Sequence, residues 1–295
     1  MSKDVGLSAA VAGAGLVHSL GGLAQLTAQR GLPANPAPPD TTELAAALPG
    51  IPLRRIPRYA RMALLAAIRA LDDAGWRQGP EMRDTALVVG TAYSGAQMSM
   101  DFMDSLIDDG PRLASPTAFS HAVNNMGTGL LSLLLQVRGP CLTVSQFELS
   151  FAGAVCAAIT LLHAGRARRV LVGTVDEIDE RFACCCPQVQ KQGIPQTEGA
   201  LFLCLEPPNP LRPFLRVRWE RNALPPAFVS GSPLNEEDLA CRHEHLYGYS
   251  PLAQALDTLL ALHAVQHGIS TQLDCLCTAA GSTCVATMEI RGSQP

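Results

Sequence analysis

The sequence predicts an α/β protein whose sheet is covered by helices on both faces. Three observations carry this. Short, almost wholly apolar segments such as 85–90, 169–175 and 199–205 alternate with longer segments of helical spacing, the pattern of strands buried on both sides and of a largely parallel sheet. The chain has 295 residues, 47% hydrophobic and 16% charged, which is ample for a large core. One predicted helix, 149–165, is built mainly from small residues (Ala152, Gly153, Ala154, Ala157, Ala158), as expected of a helix packed closely on all sides.

In chain order the reading opens with a strand at Ala9 to Gly13 and a helix near Leu20 to Arg30. The proline-rich stretch Leu32 to Pro39 then breaks the pattern. From Arg58 to Gly75, Ala and Leu recur at helical spacing and a glycine supplies the stop. A strand follows at Thr85 to Gly90, then one helix over Ser120 to Val137, a turn and strand in GPCLTVSQ, the small-residue helix, and a strand at Arg169 to Val175. Later strands are predicted at Gly199 to Leu205, Leu215 to Trp219, Cys275 to Cys277 and Val285 to Ile290, with a helix at Pro251 to Gly268.

Composition excludes several classes. The net charge of −4 is spread along the chain without a basic stripe, so nucleic acid is not an expected partner. No apolar run approaches the ~20 residues of a membrane span, and a soluble cytoplasmic protein is expected. The ten cysteines sit singly in apolar segments (Cys141, Cys156, Cys204, Cys277) or in the run Cys184-Cys185-Cys186, without paired CxxC knuckles. They read as buried reduced thiols, and neither a metal nor a cofactor is implied.

The junction Gln146, Phe147, Glu148 is the first place where chemistry is expected. A buried helix that begins directly after a strand aims its free N–H groups at whatever stands there.

Around this junction, SPTAFSHAVNNMGTGLLSLLLQVRGPCLTVSQFELSFAGAV (115–155) resembles the stretch leading into the nucleophile of β-ketoacyl synthases. The likeness extends upstream to AVAGAGLVHSLGG and RYARMALLAAIRALDDAGW, and downstream to RRVLVGTVDE, TEGALFLCLE, HLYGYSPLAQALDTLLAL and AAGSTCVATMEI, all in family order. The resemblance implies a thiolase-like layered α-β-α-β-α fold made of two βαβαβαββ halves, and a dimer. Here the second half is short. The expected division is 1–206 as the ketosynthase N-terminal-like half and 207–295 as a truncated C-terminal half packed on it.

Departures from the family pattern fall on its functional positions. Counted from Gly139-Pro140, Glu148 stands where the resemblance places a nucleophilic cysteine, and a carboxylate is a poor acyl acceptor. Of two family histidines only His245 has a counterpart, no HGT-like motif lies between Glu148 and His245, and the family lysine is missing from Ala240 to Glu244. Ala280 falls where an aromatic gate is expected. The resemblance therefore implies a chain-length-factor-like subunit of the aryl polyene type, without condensing activity of its own. It would heterodimerise with a catalytic ketosynthase, meet acyl carrier protein directly or through that partner, and use Ala118, Phe119, Val123, Met126, Gln146 and Phe147 at the interface and tunnel end.

Other readings stay open at these residues. Glu148 satisfies helix N–H groups, or, with a pKa raised by burial, it joins His245 in decarboxylating or hydrolysing an acyl-carrier substrate. His245 is a structural histidine or a catalyst, and the stretch from Phe119 to Met126 is ordinary core packing or a tunnel wall.

Overall fold

The computed structural model describes residues 7–28, 33–77, 82, 84–185, 195–221, 247–278 and 284–293. Eight strands form one continuous hydrogen-bonded sheet: β1 Ser8–His18, β2 Thr85–Gly90, β3 Cys141–Val144, β4 Arg169–Asp176, β5 Gly199–Glu206, β6 Phe214–Arg221, β7 Gln272–Thr278 and β8 Cys284–Arg291. The helices are α1 Leu23–Ala28, α2 Leu44–Ala47, α3 Arg58–Asp73, α4 Ala96–Asp108, α5 Pro116–His121, α6 Met126–Leu134, α7 Ser150–His163, α8 Glu180–Cys185 and α9 Ala253–Gln266.

The order across the sheet is β3-β2-β4-β5-β1-β6-β8-β7. Only β2 makes parallel pairs, with β3 and β4; every other pairing is antiparallel. This corrects the expectation of a largely parallel sheet. An all-apolar strand reports that both its faces are buried, not which way its neighbours run.

Both faces of β2, β4 and β5 are indeed covered. On β2, Ala86 and Val88 join the core around α7, while Leu87 and Val89 join the core under α3 and α6. β4 divides likewise, with Val170 and Val172 toward α7 and Leu171 and Val175 toward α3. The helix α3 ends as its sequence foretold: Gly75 takes φ 69°, and the Trp76 amide donates to Leu71 O at 2.8 Å.

A repeat is visible in the pairing. β1 pairs antiparallel with β5, and β5 with β4, whose preceding helix is α7. In the same way β6 pairs with β8, and β8 with β7, whose preceding helix is α9. The two sets meet where Ser8–Ala10 pairs with Phe214–Arg216. Among the described residues nothing in the second set corresponds to β2 and β3. The pairing suits a thiolase-like layered fold whose second set is the smaller among the described residues, with β7 at the edge of the sheet.

The second set is apolar on one face only. Leu215, Met288, Ile290, Leu273, Cys275 and Cys277 pack toward α7 and α9. The opposite face is an ionic ladder: Arg216 stands 3.9 Å from Glu289, Arg218 3.7 Å from Asp274, and Arg291 bonds Glu289 at 2.5 Å. Alternation of this kind suits a sheet with one wet face.

Three other expectations change. The single helix predicted over 120–137 is two, α5 and α6, separated at Ala122 to Asn125. Gly127, in the first turn of α6, lets that helix approach the Tyr59 ring, since a Cβ there would lie 2.6 Å from it. The helix α4 was not foreseen. Nor is α7 enclosed on all sides: Thr160 is exposed and Gly153, Cys156 and Ala157 are half-buried, a stripe beside the open edge of the sheet.

Candidate functional site: the junction between β3 and α7

The strand β3 runs out at Val144, and one 3-10 turn, Phe147–Leu149, leads directly into α7. Ser150 fastens this junction. Its hydroxyl oxygen accepts the Gln146 amide at 2.8 Å and lies 2.9 Å from Thr91 O and 2.6 Å from Phe147 O. A Cβ on Gly90 would sit 2.7 Å from Ser150 O, so the end of β2 and the start of α7 touch main chain to main chain. Phe147 pays for the sharp turn with φ 49°, a left-handed conformation that side chains rarely adopt.

Glu148 is half-buried at the top of this turn, while Gln146 and Phe147 are exposed. The structure also brings up residues that sequence reasoning missed. The Cys277 thiol, from the end of β7, donates to Glu148 O at 3.3 Å. Tyr93 faces Phe147 with ring centroids 6.4 Å apart, and burial, with Tyr249 and Glu148 nearby, pushes its hydroxyl well above the usual phenol range. The signal for Tyr93 was present in the loop TAYSG after β2; for Cys277, more than a hundred residues away in sequence, there was none.

Behind Tyr93 lies a buried polar cluster. Asp176 accepts from the Thr91 hydroxyl at 2.9 Å and from the amides of Ala92 at 3.0 Å and Tyr93 at 2.8 Å. Burial pushes its carboxyl up to about 7 in spite of these donors. Glu177 accepts the Gln97 amide at 3.1 Å in the first turn of α4 and is likewise pushed up to about 7 by burial, with Arg58 pulling the other way. Arg58 is bonded to Glu198 and lies 3.7 Å from Glu177.

The other expected site residues separate into two groups. Phe119 (57% exposed) and Val123 (38%) are on the surface around α5, and Ala118 is half-buried beside them. Met126 is buried in the core with Tyr59 instead. Leu142 on the open edge of β3 and Leu133 on α6 are exposed as well. Because β3 is an edge, Cys141 is exposed there, and Cys184 on α8 is exposed and Cys156 on α7 half-buried, contrary to the expectation of buried thiols; Cys204 and Cys277 are buried as expected. His245 and Ala280, with the segment 240–244, lie outside the described residues.

The junction thus sets Glu148 just before the first turn of α7, beside a left-handed residue and the end of β3. The family model described as "Beta-ketoacyl synthase, N-terminal domain" matches residues 25–192, which include this junction. The chain belongs to the β-ketoacyl synthase family. Among curated relatives, the chloroplastic 3-oxoacyl-[acyl-carrier-protein] synthase I of Hordeum vulgare is 30% identical over 98 residues, 31% of this chain and 21% of that protein. The 3-oxoacyl-[acyl-carrier-protein] synthase 2 of Rhizobium meliloti (strain 1021) is 30% identical over 89 residues, again 21% of its length. The matched part thus spans about a fifth of these relatives.

Solved structures share the fold over nearly the whole chain. The ishigamide ketosynthase/chain length factor superposes with TM-score 0.70 at 16% identity, covering 98% of this chain and 100% of that one. The ketosynthase (ApeO) in complex with its chain length factor (ApeC) from Xenorhabdus doucetiae gives TM-score 0.64 at 18% identity, with 96% and 99% covered. Among the described residues no helix is long and apolar enough to cross a membrane.

Proposed function

We propose that this chain is a non-catalytic, chain-length-factor-like member of the family that heterodimerises with an active ketosynthase and shapes its acyl tunnel. The observation that carries the reading is Glu148 at the nucleophile position. A condensing enzyme needs a thiolate there to take the acyl group, and a carboxylate cannot form the thioester. The nearest thiol, Cys277, is buried and donates its proton to a carbonyl.

The surface around α5 and β3 supports the pairing. Phe119, Val123, Leu133 and Leu142 are exposed beside an unpaired strand edge, a combination expected of a face that another protein covers. Ala118, Phe119, Val123, Gln146 and Phe147 are the residues placed at the interface and tunnel end, with Met126 supporting them from the core. The two halves, 1–206 and 207–295, act as one unit in the cytoplasm, in polyene or polyketide biosynthesis of the aryl polyene type. Acyl carrier protein is met directly or through the partner.

The test is Glu148→Gln, assayed by product output in the presence of the partner ketosynthase. An accessory role predicts output and product length unchanged. Loss of output would favour the competing reading, in which Glu148 and His245 act as an acid-base pair on a malonyl or acyl carrier substrate.

A further inference from the structure

The helices α4 and α5, which carry the exposed Phe119, have little hold on the core. Among the described residues of these two helices Ala96 alone is buried, while Met103 (45% exposed) and Ile107 (72%) stand out from α4. Helices in proteins are held mainly by the face they bury, and α4 buries almost none, so its position is set by polar contacts. At its first turn the Gln97 amide donates to Glu177. Further along, Arg181 in the first turn of α8 reaches across to it: the guanidinium bonds Asp101 at 2.8 Å and Asp104 at 2.6 Å, two carboxylates three residues apart on one face of the helix. The guanidinium is itself aimed from behind. Its Nε and Nη2 donate to the two oxygens of Asp179 at 3.2 and 2.9 Å, and the Arg181 amide donates to the same carboxylate at 2.9 Å. The Asp179 side chain is 9% exposed, so the planar fork stands on a nearly buried base. A single exposed ion pair holds little, but here one guanidinium closes a network of three carboxylates.

The other side of α4 holds α5. Phe102 meets Phe119 with ring centroids 5.4 Å apart, and the Ser99 hydroxyl lies 3.5 Å from Ala122 O. Phe102 and Ser99 lie about 100° and about 200° round the helix from Asp101, away from Asp104. A rigid helix gripped on one side by Arg181 therefore carries α5 on the other. We propose that Arg181 is a positioning residue: by gripping α4 it holds α5, and with it Phe119, in place before a partner arrives. A face fixed in advance loses less freedom on binding. The use of this grip rests on the pairing with a ketosynthase; the grip itself does not.

The experiment compares amide hydrogen exchange in the free chain for the wild type, Arg181→Met and Arg181→Lys. Methionine keeps an apolar stem and removes the fork, whereas lysine keeps the charge without the fork. Exchange in α4 and α5 is expected to be about tenfold faster in Arg181→Met, intermediate in Arg181→Lys, and unchanged in β4. Salt at about 1 M should loosen the same two helices in the wild type and leave Arg181→Met as it was. Unchanged exchange in Arg181→Met overturns the proposal. So does an equal rise in β4, which would make Arg181 a general stabiliser. Titration with the ketosynthase then reads the positioning: affinity about threefold or more weaker in Arg181→Met is expected, and equal affinity overturns the role. A wild-type chain that binds no ketosynthase sinks the accessory function, and the exchange rates still decide the grip.

Discussion

The carboxylate of Asp176 accepts the Tyr93 amide at 2.8 Å, and with its bonds to Thr91 and Ala92 the buried end of β4 holds the loop whose Tyr93 ring faces Phe147. Asp176 is 2% exposed, and burial raises its carboxyl to about 7, from about 4 in an unfolded chain. A raised carboxyl binds its proton more tightly in the folded state, so stability is greatest below the unfolded value and declines as pH climbs from about 4 through about 7. The thermal midpoint is therefore expected to fall between pH 5 and pH 8. In Asp176→Asn, which cannot ionise, that decline shrinks; an equal slope in both proteins would show that Asp176 is not its source.

Gly90→Ala tests the close approach of β2 and α7. The added methyl would lie 2.7 Å from Ser150 O, a backbone atom that cannot rotate away. The expected cost is about 1–3 kcal/mol, read from urea unfolding, with the junction loosened as well as the core. A change of only a few tenths would mean that the two elements can move apart freely.

Leu142→Lys addresses the open edge of β3. Leu142 is 41% exposed, so the substitution is expected to leave the thermal midpoint of the isolated chain nearly unchanged. A lysine on a strand edge opposes pairing with another chain, and complex formation with a ketosynthase should fall by about tenfold or more. Wild-type affinity in this variant would move the interface elsewhere.

Much of the architecture was legible because it is written in local patterns. Thr85–Gly90 carries an unbroken Ala-Leu-Val-Val run, and Arg58–Asp73 has helical spacing closed by Gly75, so both elements stand where expected. Strand direction was not legible, since β5 shows the same apolar run as β2 while pairing antiparallel. The seat of α6 was not legible either, since Gly127 meets the Tyr59 ring, a contact between distant segments. At the site, Glu148 could be located by counting from a turn. Tyr249 and Cys277 arrive through the fold of the second half, and no spacing in the chain announces them.

The central claim is that this chain accompanies a catalyst and does not carry the acyl group. Its most direct test is native purification of the tagged protein, with intact mass measured for everything that co-elutes. The account predicts a ketosynthase with an intact nucleophilic cysteine, eluting one-to-one and bearing any acyl mass itself. A chain that elutes alone with the acyl mass on one of its own cysteines would contradict it.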